Sequence, residues 1–169
     1  MVRIKQFAEI EAEDLPLVGG KGLNLGKLAK AGFSVPPGFC ATTAAYHEAI
    51  QGLDTLDRGF IQTVEMPPPL QAEILDAYNN LGAVRVAVRS SATAEDLPNV
   101  SFAGQQDTFL NVSGASAVLE KIRDCWASLW SERALAYRRD RYVDEDGLGI
   151  AVVVQMMIDA DVSGVMFTI

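Results

Sequence analysis

Apolar residues recur at helical spacing in three segments of the chain. The first segment, GKGLNLGKLAKAG, places Leu25, Leu28 and Ala29 on one face and reaches a predicted stop at Gly32. The second begins after three consecutive prolines and carries the stripe Leu70, Ile74, Leu75 and Tyr78. The third carries Val118, Leu119, Ile122, Trp126, Leu129 and Trp130. Three amphipathic helices are therefore predicted, and SVPPGFCATTAAYHEAI predicts a further helix capped by Thr42 or Thr43.

Alternating and continuous apolar runs predict strands, most of them in the second half of the chain. AVRVAV and DTFLNV are typical strands, and IAVVVQMMI and GVMFTI predict an antiparallel pair joined by DADVSG. Arg89 follows the first of these strands directly, at its predicted carboxyl end. Residues 51–66 are weakly patterned and predict no clear element. Helices first and strands later indicate an α/β or α+β fold.

Composition and charge narrow the class of protein. At 169 residues the chain has the length of one domain, and its net charge of −8 disfavours a general nucleic-acid or anionic-membrane surface. Two distant cysteines and one histidine give no metal-ligand spacing. No signal core or membrane-spanning run precedes the domain, so we expect a cytoplasmic location. Because the chain stops at Ile169 inside an apolar strand, we also expect it to be part of something longer.

The glycine-rich turn VGGKGLNLGKL precedes a predicted helix and contains Lys21. Backbone N–H groups at a helix start attract anions, and a lysine adds charge, so this turn is a candidate phosphate site. It is not a Walker A loop, because Leu15 stands at the position of the first glycine and Gly22 follows the lysine. The alternative is a plain glycine-rich turn with a solvated lysine.

The stretch VRSSATAEDLPNVSFAGQQDTFLNV gives a second candidate. Arg89 is placed to meet an anion, Gly104 allows close backbone approach, and Gln105, Gln106 and Thr108 offer neutral donors. The two carboxylates of the intervening AED sequence either hold a metal or solvate the loop. The alternative for the whole stretch is a polar surface loop with an exposed arginine, although long loops in compact domains are usually functional.

Gln155 interrupts the apolar strand VVVQMMI. A buried glutamine needs partners, so this residue either satisfies backbone groups or faces a ligand. Met156 and Met157 either line a flat ring or pack in the core. His47, the single histidine, is predicted on an exposed helix face without a catalytic role, and no catalytic triad can be assembled.

Three long blocks in the chain resemble a known family. VGGKGLNLGKLAKAGFSVPPGFCATTAAY, VAVRSSATAEDLPNVSFAGQQDTFLNV and AVVVQMMIDADVSGVMFTI are similar to the amino-terminal ATP-binding domain of phosphoenolpyruvate synthase, pyruvate phosphate dikinase and rifampicin phosphotransferase. The resemblance implies an α+β, ATP-grasp-like fold in which two subdomains clamp ATP. Residues 1–169 would form the first subdomain as one globular unit, stopping before the second.

The resemblance also implies a set of ATP-binding residues. Lys21 and Arg89 would neutralise the phosphates, the glycine-rich loop would cover them, and the strand with Gln155 and Met156 would run towards the adenine. The loop residues are Gly104, Gln105, Gln106, Asp107 and Thr108. The family's Mg²⁺ ligands would come from the second subdomain, so neither a metal ligand nor a catalytic residue is expected in this chain.

The activity implied is that of a phosphotransferase acting within a larger protein. ATP is split, a phosphoryl group passes to a histidine on a separate swivelling domain, and pyruvate is the final acceptor. Partners would be ATP and those other domains, with no nucleic acid or membrane, and the chain alone is expected to be inactive. The alternatives are a rifampicin phosphotransferase fragment and a non-catalytic nucleotide-binding module. The segments between Ile50 and Leu70, and around YRRDRYVDEDGLGIAVV, are shorter than is usual in the family.

Overall fold

The computed structural model describes residues 2–53, 55–82, 85–92, 107–141 and 148–164. The strands in these ranges are β1 (Ile4–Gln6), β2 (Gly38–Ala41), β3 (Val86–Ala92), β4 (Thr108–Val112) and β5 (Ile150–Met156). The α-helices are α1 (Leu15–Lys30), α2 (Thr43–Ala49), α3 (Arg58–Thr63), α4 (Pro68–Asn80), α5 (Ala115–Ser128) and α6 (Glu132–Arg141). Two short 3-10 helices, Phe7–Glu9 and Ala12–Asp14, lie between β1 and α1.

The five strands form one sheet in the order β1-β2-β5-β3-β4, with every neighbouring pair antiparallel. The last strand in sequence, β5, lies in the centre and pairs with β2 on one side and β3 on the other. Its valines are fully buried, as a continuous apolar run predicts for a strand covered on both faces. The mixture of helices with an antiparallel sheet confirms the α+β class.

The two faces of the sheet pack against different helices. Val152 and Val154 of β5 belong to the larger core, which also contains the apolar stripes of α4 and α5. Val153, between them, points to the opposite face and joins a smaller core with Val18 and Leu23 of α1. The helical stripes predicted for α4 and α5 are confirmed, since their central residues are buried in the larger core.

The predicted apolar face of α1 supplies only part of its contact with the sheet. Leu25 and Ala29 are partly buried against the smaller core, and Leu28 is 43% exposed. Glycines complete the contact, since a Cβ at Gly22 would lie 2.8 Å from the Cys40 sulfur. The absence of a side chain at this position therefore lets the helix approach the sheet closely.

Four further sequence expectations need correction. Arg89 does not end its strand, because β3 continues to Ala92 through two buried serines that pair with β5. Strands also occur in the first half of the chain, and the weakly patterned segment contains the short helix α3. Thr42 is the residue before α2 as predicted, but its hydroxyl donates to the carbonyl of Val2 and accepts no N–H of the helix. Residues 165–169 of the predicted strand GVMFTI lie outside the described residues.

Candidate functional site

Helix α1 is kinked at Gly19, within the glycine-rich turn. Gly19 has φ 65° and ψ 175°, which is outside helical geometry and accessible almost only to glycine. A Cβ at this position would also lie 2.4 Å from the Ser91 carbonyl oxygen. The helix resumes after the kink, so Lys21 lies in the first turn of its second part. The predicted glycine-rich turn before a helix is therefore present, but an additional helical turn precedes it.

The Ser91 side chain fixes this kink to the sheet. Its hydroxyl donates to the carbonyl of Val18, before the kink, at 2.8 Å. The same oxygen accepts the N–H of Gly22, after the kink, at 3.3 Å. Ser91 is fully buried, so both bonds lie away from water. They cap the second part of α1 and hold the turn bearing Lys21 against β3.

Arg89 lies on β3 two residues before Ser91, and therefore on the same face of the sheet. It is opposite Val153 of β5 on one side and Thr108 of β4 on the other. Because Val153 belongs to the α1 core, Arg89 and Thr108 also face the α1 side. Arg89 is half-buried at this position.

Ser90 connects β3 to the start of β4. Its backbone N–H and its hydroxyl both donate to the carbonyl of Asp107, each at 3.2 Å. The Cys125 thiol of α5 approaches the same carbonyl at 4.0 Å. The residue that immediately follows the Gly-Gln-Gln sequence is thus held by its main chain, next to the strand that carries Arg89.

The pKa of the Cys125 thiol depends on its burial and on the charges around it. Burial raises its pKa, and the negative charges of Asp107 and Asp124 act in the same direction. The positive charges of Lys21 and Lys121 oppose this rise.

Of the other predicted ATP-binding residues, three lie outside the described part of the chain and two lie on β5. Gly104, Gln105 and Gln106 lie outside the described residues. Gln155 is buried on the α1 side and donates through Nε2 to the carbonyl of Pro36 at 3.1 Å. Its successor Met156 is half-buried and, by strand alternation, faces the other side of the sheet. Of the two options for Gln155, the structure shows the backbone-satisfying one.

The serines were missed as site residues in the sequence. Ser90 and Ser91 are polar residues that continue directly from an apolar strand, and the sequence alone indicated the beginning of a loop. Their burial and backbone partners show instead that each ties a different element to β3. A run of small hydroxyl residues directly after Arg89 is the signal that could have indicated this role.

The described residues contain neither a metal-binding cluster nor a membrane-spanning helix. No group of three or more His, Cys, Asp or Glu side chains in these ranges is arranged to hold a metal ion. Within the same ranges, no helix combines the length and apolar character needed to cross a bilayer. His47 is exposed as predicted, and partial desolvation lowers its pKa.

Comparison with known proteins identifies the family. The profile described as pyruvate phosphate dikinase, AMP/ATP-binding domain, matches residues 15–58 and 54–169. A probable phosphoenolpyruvate synthase of Methanothermobacter thermautotrophicus is 45% identical over 96% of the chain and 28% of its own length. The phosphoenolpyruvate synthase of Aeropyrum pernix is 45% identical over 95% of the chain and 23% of its own length. The rifampicin phosphotransferase of Bacillus subtilis is 41% identical over 95% of the chain and 22% of its own length.

An α+β domain with a glycine-kinked helix start beside an arginine-bearing strand defines a candidate anion-binding module. The chain belongs to the family of pyruvate phosphate dikinase AMP/ATP-binding domains. It spans about a quarter of the length of these curated relatives. The alignment to the first relative covers 193 positions, more than the 169 residues of the chain, so the relative has residues without a counterpart here.

Proposed function

We propose that residues 1–169 form the ATP-binding part of a dikinase-type phosphotransferase, within an ATP-grasp-like clamp. One observation carries this proposal. The buried Ser91 hydroxyl holds the glycine kink that precedes Lys21 against the same strand that presents Arg89. A lysine at a helix start and a half-buried arginine on the adjacent strand are suited to the phosphates of a nucleotide.

The remaining ATP contacts follow from the same arrangement. Thr108 faces the α1 side opposite Arg89, where its hydroxyl can donate to a phosphate oxygen. Gly104, Gln105, Gln106 and Asp107 would supply the loop over the phosphates, with the Asp107 carbonyl anchored by Ser90. Gln155 and Met156 would border the adenine through the end of β5 and not through a shared side-chain surface, because they face opposite sides.

We propose that the reaction is phosphoryl transfer from ATP to a histidine on a separate domain, and then to pyruvate. Such transfer depends mainly on positioning and charge neutralisation, which are tasks that Lys21 and Arg89 can perform. Mg²⁺ would be held by residues outside this chain, so the chain alone is expected to bind ATP without turning it over. A cytoplasmic location fits this role. The rifampicin phosphotransferases among the relatives favour the antibiotic as the alternative acceptor.

The test is calorimetric titration with ATP, with and without Mg²⁺, of the chain and of its Lys21→Ala and Arg89→Ala variants. Each substitution removes a charge-assisted contact, so we expect affinity to fall by about tenfold to more than a hundredfold. Lys27→Ala is the matched control, because Lys27 is an exposed lysine in the last turn of the same helix. Folded wild-type chain that fails to bind ATP, or variants that bind like Lys27→Ala, would refute the proposal.

A further inference from the structure

Asp107 carries a negative charge next to the proposed phosphate site. It is the first described residue after the Gly-Gln-Gln sequence, and it immediately precedes Thr108 opposite Arg89. A carboxylate at this position repels the phosphates that Lys21 and Arg89 are proposed to attract. The direction in which this carboxylate points therefore bears directly on the affinity of the site for an anion.

The structure directs the Asp107 side chain to the opposite side of the sheet from α1. Phe109, two residues along β4, packs against the larger core, which lies on the side of α5. Asp107 follows the same alternation, and its Oδ2 lies 3.7 Å from Nη2 of Arg58 in α3. Thr108, between them, faces the α1 side. The negative charge of Asp107 is thus paired with a cation across the sheet from Lys21.

Helix α3 is held in a position to supply this cation. The Asp57 carboxylate caps the helix by accepting the N–H of Phe60 at 3.0 Å. Ile61 is fully buried in the larger core, and Gln62 donates to Asp124 of α5 at 2.9 Å. Arg58 is the first residue of this capped helix, so its backbone is fixed relative to the start of β4.

Helix α3 lies in the segment between Ile50 and Leu70, at the junction of the two parts of the family match, which overlap at residues 54–58. The packing of this segment on α5 places Arg58 beside Asp107.

Resting on the proposed function, we propose that Arg58 is a positioning residue for ATP binding. It pairs with the Asp107 carboxylate on the α3 side of the sheet and keeps that charge away from the phosphates. Arg58 itself does not contact ATP. Its contribution is electrostatic and acts through Asp107, which distinguishes it from a residue whose loss merely loosens the fold.

The experiment compares ATP affinity in Arg58→Gln, Asp107→Asn and the double variant, measured by calorimetry with the full chain. Losing the partner of Asp107 should weaken ATP binding about fivefold in the wild-type background. In the Asp107→Asn background the same substitution should have little effect, because no carboxylate remains to be directed. The fivefold loss should also shrink at high ionic strength, since the pair is half-exposed.

Lys27→Gln is the matched control, because it removes the same charge from an exposed position and should leave ATP affinity unchanged. Circular dichroism establishes that each variant is folded. An Arg58→Gln chain that binds ATP normally overturns the inference while the proposed function stands. Equal losses in both Asp107 backgrounds also overturn it, because the effect would then be independent of the carboxylate. A folded wild-type chain that does not bind ATP removes the proposed function and this inference together.

Discussion

At the scale of single residues, three consecutive positions on β3 have three distinct tasks. Arg89 faces the α1 side and is proposed to bind phosphate, while Ser90 holds the carbonyl of Asp107. Ser91 bridges the two parts of α1. Two short hydroxyl side chains therefore connect the neighbouring elements to β3 beside Arg89.

Ser91→Ala should destabilise the protein by about 1–3 kcal/mol. The substitution leaves the Val18 carbonyl and the Gly22 N–H without their buried partner. Urea unfolding followed by circular dichroism measures the change in the free energy of unfolding. Ser34→Ala is the control, because Ser34 is exposed and its loss should change stability by less than about 0.5 kcal/mol. Equal stabilities of the two variants would contradict the bridging role.

At the scale of elements, α1 is the helix whose geometry departs most from a regular amphipathic pattern. Glycines form part of its contact with the sheet, and its kink occurs at Gly19, where φ and ψ leave the helical region. Close approach and the kink act together, because a β-carbon at Gly19 would meet the backbone of β3. The position of Lys21 relative to Arg89 depends on both properties.

Gly19→Ala should destabilise the protein more than Gly52→Ala. Both glycines have positive φ, 65° and 83°, so both substitutions carry a conformational cost of about 1 kcal/mol or more. Only Gly19 also meets a neighbour, since a Cβ at Gly52 has nothing within 4 Å. We expect a difference of roughly 1–3 kcal/mol between the variants in urea unfolding. The same loss in both would mean that the close packing of α1 on Ser91 contributes nothing.

The elements differ in how well their sequence predicts them. The stripes of α4 and α5 and the apolar run of β5 were recognisable because their side chains make the contacts. The part of the α1 contact that glycines make was not, because glycine has no side chain to produce a periodic signal. Likewise, β3 was predicted too short because its last residues, Ser90 and Ser91, are polar but buried. Whether a buried polar side chain finds a backbone partner far away in the sequence depends on the tertiary structure. The local sequence pattern does not encode it.

At the scale of the whole molecule, one sheet separates two hydrophobic cores of unequal size. The smaller core under α1 and the larger core under α5 share the central strand β5, whose successive valines enter opposite sides. The proposed phosphate site lies where α1, β3 and β4 meet, so it depends on α1 staying docked. The fraction of time for which Lys21 lies at the site therefore depends on whether the smaller core opens together with the larger one.

The two cysteines report on this cooperativity, one in each core. Cys40 is buried in the smaller core and Cys125 in the larger, and burial raises the pKa of Cys40 to about 12 and that of Cys125 in the same direction. Neither thiol ionises near neutral pH in the folded state, so labelling by a thiol reagent requires opening.

We expect both thiols to label at the same rate at pH 8, and at least about a thousandfold more slowly than in urea-unfolded protein. Mass spectrometry of the labelled peptides assigns each rate without any substitution. Equal rates follow if β5 couples the two cores into one cooperative unit, because opening either side then requires the shared strand to separate. Faster labelling of Cys40 would contradict this and would show that α1 detaches alone, in which case the turn bearing Lys21 is intermittently lost from the site.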